Sequence, residues 1–204
     1  MARARSRGTA DRVDPELLRQ LATGFEIRHL SVILRATRCP AADAVTPAST
    51  LARVRIAVAF DHRGVKLRDR VLSELAGLGH EAVDLGTDAP APRIDYPDKA
   101  RELGEAILRG DAERGVLVCG SGVGASVAAC KLTGIRAAVC HDAYSAHQGV
   151  EHDDMNVLCL GSEIVGAELA AELVRVFLGA RFSGGERYMT RLKKIEAIER
   201  TSHA

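Results

Sequence analysis

Residues 116–125 read VLVCGSGVGA, a run of apolar, β-forming residues that leads directly into a glycine-rich turn. This pattern predicts a buried strand, a tight turn and the start of a helix. Backbone N–H groups at such a turn favour negative charge, either a phosphate or an oxyanion formed during a reaction. Cys119 stands at the head of the turn, where the same field favours a thiolate. The stretch alone allows two interpretations: a reactive thiolate beside an anion-binding turn, or a small buried cysteine with glycines that permit close packing.

On both sides of this stretch, short apolar runs alternate with amphipathic segments. From residue 54 onward these segments are about 10–15 residues long, which is typical of repeated βα units. The alternation predicts strands at 54–60, 81–84, 115–118, 135–140 and 157–160, and helices at 65–78, 99–108, 122–131, 144–151, 166–178 and 186–200. We therefore expect a three-layer α/β/α fold with a five-stranded parallel, Rossmann-like sheet. Such a sheet binds its ligand at the carboxyl ends of the strands.

Composition limits the classes of protein to consider. A chain of 204 residues that is 47% hydrophobic can bury one core of α/β size. Its five cysteines include no Cys-X-X-Cys pair, which favours reduced thiols and a cytoplasmic location. No apolar run approaches the roughly 20 residues that span a bilayer, so we expect no membrane segment. A net charge of +1 and the absence of tryptophan argue against nucleic acid and favour a small ligand.

The first quarter of the chain differs in charge from the rest. Residues 1–53 contain nine arginines and five acidic residues, which leaves 19 basic and 22 acidic residues in the remainder. A short helix is predicted at residues 14–25. We interpret 1–53 as an N-terminal extension outside the core, either a flexible arm, a targeting leader or sequence upstream of the true start, and 54–204 as the functional domain.

Polar residues follow three of the predicted strands at the edge where the ligand site is expected. Asp61-His62 follows the first strand, Cys119 and Ser121 follow the central one, and His141-Asp142 follows the next. Each pair also has a structural explanation, since an aspartate before a helix is a common cap. Three strand ends supplied in this way favour a shared site.

Two further clusters lie later in the chain. Residues 151–156 read EHDDMN, which is either a solvated turn or, less favoured for want of a recognisable pattern, a metal site. Arg187 and Arg191 open the last predicted helix and share one face, so they can reach the same anion or remain surface charges.

Taken in order, these landmarks resemble the ribose-5-phosphate isomerase B group, which includes the galactose-6-phosphate and allose-6-phosphate isomerases. The resemblance extends from residue 54 to about residue 199. It is carried by Asp61-His62, Asp95-Tyr96-Pro97, Cys119-Gly120-Ser121-Gly122-Val123-Gly124, Gly134-Ile135-Arg136-Ala137, Tyr144-Ser145-Ala146, His152 with Asn156-Val157-Leu158, and Arg187 with Arg191.

The resemblance implies an aldose–ketose isomerase that uses no metal and no cofactor and that interconverts ribose 5-phosphate and ribulose 5-phosphate. Cys119 would be the base that moves a proton between C2 and C1, Ser121 would keep a hydroxyl beside it, and His152 would open the sugar ring. Asp61 would hold sugar hydroxyls, and His62, Arg187 and Arg191 would bind the phosphate. The remaining implied substrate-binding residues are Tyr96, Gly120, Gly122, Val123, Gly124 and Asp153. Family members are dimers or tetramers with the site between subunits, so we expect at least a homodimer.

Two positions depart from the family pattern. Asp153 stands where ribose-phosphate enzymes commonly have Asn, and Glu163 stands where a further phosphate-binding Arg is often found. A carboxylate beside a dianion costs affinity unless it points away or is paired. The same reaction on a tetrulose 4-phosphate or a hexose 6-phosphate is therefore an alternative, and a non-catalytic sugar-phosphate sensor is a second. A dinucleotide-binding module is disfavoured, since the glycine turn follows the third strand and lacks the Gly-X-Gly-X-X-Gly spacing.

Overall fold

The computed structural model describes residues 53–202; the predicted helix at 14–25 and nearly all of the proposed extension lie outside this range. Five parallel strands form one sheet in the order β2-β1-β3-β5-β4. The strands are β1 Arg55–Phe60, β2 Glu81–Asp84, β3 Arg114–Cys119, β4 Ala137–Val139 and β5 Val157–Gly161. The predicted parallel α/β fold is confirmed.

Helices cover both faces of the sheet. After the 3-10 turn Gly64–Leu67, the helices are α1 Arg68–Gly77, α2 Tyr96–Leu108, α3 Val123–Ala129, α4 Ala143–Asp153, α5 Ala167–Gly179 and α6 Glu186–Ser202. One apolar cluster joins the sheet to α1, α4 and α5, and a second joins it to α2 and α3. Because β1, β3 and β5 are covered on both faces, their residues are apolar almost without interruption, as expected for central parallel strands.

Several predicted boundaries differ from the structure, and two of the differences have a clear physical cause. Helix α2 begins at Tyr96 and not at residue 99, because Pro97 lies in the first turn, where a missing N–H and a fixed φ are compatible with a helix. Strand β4 is restricted to three residues, whereas 135–140 was predicted. The amide of Ile135 donates to Leu132 O and that of Arg136 donates to Asn156 Oδ1, so both are held in a turn before the ladder begins.

No helix within residues 53–202 combines the length and the apolar character needed to cross a membrane.

Candidate active site

The ends of β1 and β3 meet closely at the carboxyl edge of the sheet. The amide of Asp61 donates to Val118 O at 3.0 Å. Gly64 approaches the same carbonyl so closely that an added Cβ would lie 2.1 Å from Val118 O. Glycine at this position therefore lets the loop after β1 lie directly against the strand that ends in Cys119.

Cys119 is the last residue of β3 and is only 4% exposed. Its Sγ accepts a hydrogen bond from the N–H of Gly122 at 3.1 Å. Gly122 adopts a left-handed conformation with φ of 79°, which turns the chain back toward the sulfur before α3 begins. The turn therefore points one backbone N–H at the Cys119 sulfur.

Asp61 both caps the following turn and faces the cavity. Its Oδ1 accepts from the N–H groups of Arg63 at 2.8 Å and Gly64 at 2.7 Å. The capping interpretation of this aspartate is thus confirmed for one oxygen. Oδ2 forms no hydrogen bond with the described residues, and it is the oxygen that can meet a ligand.

The loop before α2 forms the opposite wall. His62 Nδ1 lies 3.1 Å from Ile94 O, and an N–H on this nitrogen would leave Nε2 available to a ligand. The ring of Tyr96 covers the first turn of α3 so tightly that a Cβ on Gly124 would lie 2.6 Å from the Tyr96 Cζ. A hydrogen bond to the backbone thus orients His62, and the missing side chain of Gly124 leaves room for the Tyr96 ring.

These residues enclose a cavity of about 240 Å³. It is lined by Asp61, His62, Arg63, Arg93, Ile94, Asp95, Tyr96, Cys119, Gly120, Ser121 and Gly124. The Ser121 hydroxyl oxygen accepts from the Val123 N–H at 3.3 Å. Sequence reasoning missed Arg63 and Arg93, although each stands one or two residues from a motif that was recognised. A thiol, a carboxylate and an imidazole around one cavity suit proton transfer at carbon.

Glu163, which was expected to disturb phosphate binding, is already paired. Its Oε1 lies 2.5 Å from Lys66 Nζ. The hydrogen bond and charge of Lys66 hold the pKa of the Glu163 carboxyl below its usual value, with a smaller contribution from Arg63. The carboxylate therefore presents less net charge to a ligand than its position suggests.

The remaining predicted site residues lie at the opposite edge of the sheet. Helix α4 runs back from β4, so His152 in its last turn lies at the amino end of β5. The His152 ring stacks on Tyr188 of α6, with centroids 4.3 Å apart and planes at 15°. Arg187 and Arg191 extend from the same helix, and both are exposed.

The register of the sheet gives the scale of this separation. Gly115 pairs with Val157 and Cys119 with Gly161, so the two edges are four residues apart along β3, or about 13 Å of strand rise. None of His152, Asp153, Arg187 or Arg191 lines the Cys119 cavity. Within one chain, the structure therefore assembles only half of the predicted site.

Asp153 is exposed and borders a larger cavity of about 630 Å³ beside β4. Its other lining residues are Cys130, Lys131, Ile135, Arg136, Ala137, Ala138, Gly149, Met155, Ile195, Ile198 and Glu199. Most of this wall is apolar. The larger of the two cavities is therefore not the one that contains the thiol, the carboxylate and the imidazole. Across residues 53–202, no three His, Cys, Asp or Glu side chains come together as a metal site would require.

Another predicted candidate, Asp142, has a structural role. Asp142 caps α4 by accepting hydrogen bonds from the Ser145 amide and hydroxyl, both at 2.8 Å, and these bonds lower the pKa of its carboxyl. Burial raises the pKa of Cys140 to about 11, assisted by Asp142, and raises that of Cys159 well above its ordinary value. Neither of these two thiols is suited to act as a base near neutral pH.

Comparison with known proteins identifies relatives of this chain. A family model for Ribose/Galactose Isomerase matches residues 56–195. The chain is 43% identical over 145 residues to ribose-5-phosphate isomerase B of Escherichia coli, covering 71% of this chain and 96% of that protein. It is 38% identical over 130 residues to D-erythrulose-4-phosphate isomerase of Pectobacterium atrosepticum, covering 64% and 86%. A solved structure of Clostridium thermocellum ribose-5-phosphate isomerase B matches with a TM-score of 0.70 and 41% identity, covering 72% of this chain and 99% of that one.

Proposed function

Because the chain belongs to the Ribose/Galactose Isomerase family and is a sugar-phosphate isomerase, we propose that it interconverts ribose 5-phosphate and ribulose 5-phosphate with Cys119 as the base. The observation that carries the proposal is the Cys119 Sγ, which accepts the Gly122 N–H inside a cavity that also holds Asp61, His62 and Tyr96. The name of the Escherichia coli relative supports the choice of pentose.

In this mechanism the Cys119 thiolate takes the proton from C2 of the open-chain aldose. The C–H electron pair forms the C1–C2 double bond, and the carbonyl electrons move to O1, which produces an enediolate. The turn from Gly120 to Gly124 faces the new negative charge with those N–H groups that do not already donate to Cys119 Sγ or Ser121 Oγ. Return of the proton from the Cys119 thiol to C1 and transfer of the O2 proton to O1 complete the ketose, with no net gain or loss of protons. Asp61 Oδ2 and the Tyr96 hydroxyl hold sugar hydroxyls during these steps.

Ring opening and phosphate binding are assigned to residues from the other edge of the sheet. His152 donates and accepts the ring proton, and Arg187 and Arg191 bind the phosphate together with His62. Because these residues lie about 13 Å of strand rise from Cys119 in one chain, we propose that a second copy supplies them. The functional unit is then a homodimer or a homotetramer of such dimers.

A four-carbon substrate is the second candidate. It is favoured by the similarity to the D-erythrulose-4-phosphate isomerase of Pectobacterium atrosepticum and by Glu163, whose carboxylate is bound to Lys66 at the position of an expected arginine. A six-carbon 6-phosphate is a third possibility within the same chemistry. A sugar-phosphate sensor would use the same cavity without proton transfer.

The experiment is a panel of tetrose, pentose and hexose phosphates compared by kcat/KM and incubated in deuterated water. The proposal expects turnover to be highest with ribose 5-phosphate and expects solvent deuterium to enter the substrate carbon. Deuterium exchange with a preference for a tetrose or hexose phosphate would support the proposed reaction but assign it to a different substrate. Binding of a sugar phosphate without any deuterium exchange would favour the sensor function over the isomerase function.

The mechanism also requires a cellular compartment in which Cys119 stays reduced. Cys119, Cys130, Cys140 and Cys159 are free thiols, and a thiolate base remains functional only while it is reduced. We accordingly propose a reducing, cytoplasmic setting, which localisation of a tagged full-length chain would test.

A further inference from the structure

We propose that Arg63 is a charge-stabilising residue of this site, whose guanidinium faces the enediolate and the Cys119 thiolate. The proposal rests on the isomerase function proposed above and adds to it a residue that the motifs did not identify. It begins from the position of the Arg63 side chain at the wall of the Cys119 cavity.

The backbone of Arg63 is held at both ends. Its N–H donates to Asp61 Oδ1 at 2.8 Å, and its carbonyl accepts from the Ser162 hydroxyl at 2.9 Å. The first bond belongs to the loop after β1 and the second to the segment after β5. Arg63 therefore bridges the two strands that flank Cys119, and its side chain starts from a fixed point.

The side chain itself crosses the residue next to the thiol. A Cβ built on Gly120 would lie 2.9 Å from Arg63 Cδ and 3.0 Å from Arg63 Nη1. The absence of a side chain at Gly120 is what permits this contact. The guanidinium is thus placed beside the Cys119–Gly120 peptide, on the wall where the enediolate oxygens are proposed to lie.

Arg63 forms no direct ion pair with a carboxylate in the described part of the chain. Glu163, whose carboxyl pKa Arg63 lowers slightly, is bound to Lys66 instead. The second arginine of the cavity, Arg93, comes from the loop before α2. A cation near a forming oxyanion lowers the energy of the transition state more than that of the bound sugar. Removal of the Arg63 charge should therefore lower kcat more than it raises KM.

The test compares Arg63→Met, Arg63→Lys and Arg101→Met. Arg101 is an exposed arginine of α2 that pairs with Asp98 and does not line the cavity, so it controls for loss of one surface charge. For each variant, kcat and KM are measured with the best sugar phosphate of the panel. Iodoacetamide labelling near neutral pH is followed by peptide mass spectrometry, with the exposed Cys130 as the internal reference for Cys119.

We expect Arg63→Met to lower kcat about fivefold, the effect of one unit charge at about 4 Å in water, with little change in KM. The ratio of Cys119 to Cys130 labelling is expected to fall by a similar factor, and Arg63→Lys is expected to restore most of both quantities. Arg101→Met should match the wild type. A role limited to packing would leave the labelling ratio unchanged and would overturn the proposal.

Two other outcomes would also overturn it. A rise in KM without a loss of kcat would mean that Arg63 binds the ground-state phosphate, and an unchanged kcat would mean that the charge does not act on the reaction. Failure of the isomerase proposal gives a different pattern: the wild type would exchange no deuterium with any sugar phosphate. The labelling ratio would still test Arg63 in that case, because it needs no substrate.

Discussion

Two inactive variants are expected to complement each other if each active site takes residues from two chains. The variants are Cys119→Ala, which removes the proposed base, and His152→Ala, which removes the proposed ring-opening group. Each alone is expected to lose activity by about a hundredfold or more, the usual effect of removing a positioned acid or base. The two residues lie at opposite edges of the sheet, four register positions apart, so each substitution lies outside the other half-site.

The expected recovery follows from symmetry. In a dimer with a two-fold axis, one site would combine Cys119 of the first chain with His152 of the second, and the other site would combine the reverse. A heterodimer of the two variants then has one site with both defects and one site with neither. It should show about half of the wild-type kcat per dimer, because one of its two sites is intact.

The assay uses two affinity tags on co-expressed chains, so that tandem purification isolates the heterodimer before activity is measured. The matched control pairs a wild-type chain with a chain that carries both substitutions. Sharing predicts that this control is inactive, since each of its sites has one defect. An inactive variant heterodimer together with a half-active control would show that each chain contains a whole site, and failure to isolate any heterodimer would refute the dimer itself.

Three further perturbations test the local geometry. Gly122→Ala should lower the free energy of unfolding by at least about 1 kcal/mol in denaturant titrations, since alanine is strained at a φ of 79° and its Cβ would lie 3.1 Å from Leu160 C. The control is Gly77→Ala, in open space at the end of α1, which should be neutral or stabilising. Equal effects of the two substitutions on the free energy of unfolding would contradict the argument. Gly124→Ala should raise KM by displacing the Tyr96 ring, with unfolding less affected than kcat/KM; an unchanged KM would remove Tyr96 from the binding set. Burial, and then the charge of Arg114, lower the pKa of His80, so the unfolded chain binds more protons and stability should fall as the pH drops below about 6.5. His80→Leu should remove that part of the pH dependence in thermal unfolding scans, because neither ring nitrogen has a hydrogen-bond partner among residues 53–202, and an unchanged profile would assign it to other groups.

The order of elements and the first half of the site could be predicted from the sequence because both depend on local patterns. Apolar runs identify parallel strands, and residues directly after those strands must meet at the carboxyl edge. This reasoning correctly brings Asp61, His62 and Cys119 together. Tyr96, the first residue of α2, joins them. The motif marked this residue, but the predicted helix began three residues too late.

The second half of the site could not be placed in this way. His152 and Arg187 are recognised by motif, yet a helix that returns from the carboxyl edge ends at the amino edge. The position of His152 shortly before β5 contains that information, since a residue just ahead of a parallel strand lies at its amino end. The direction of the Arg63 side chain could not be predicted from local patterns, because it depends on the missing Cβ of Gly120, which lies in the turn after β3.

The stack of Tyr188 on His152 also makes the protein suitable for label-free spectroscopy. The chain has three tyrosines and no tryptophan, so tyrosine emission is not masked. Tyr96 lines the Cys119 cavity and Tyr188 contacts His152, whereas Tyr144 is 72% exposed on α4. Two of the three intrinsic fluorophores therefore report separately on the two halves of the proposed site. A Tyr144→Phe background would give an optical signal for subunit association and sugar binding that arises from those two rings alone.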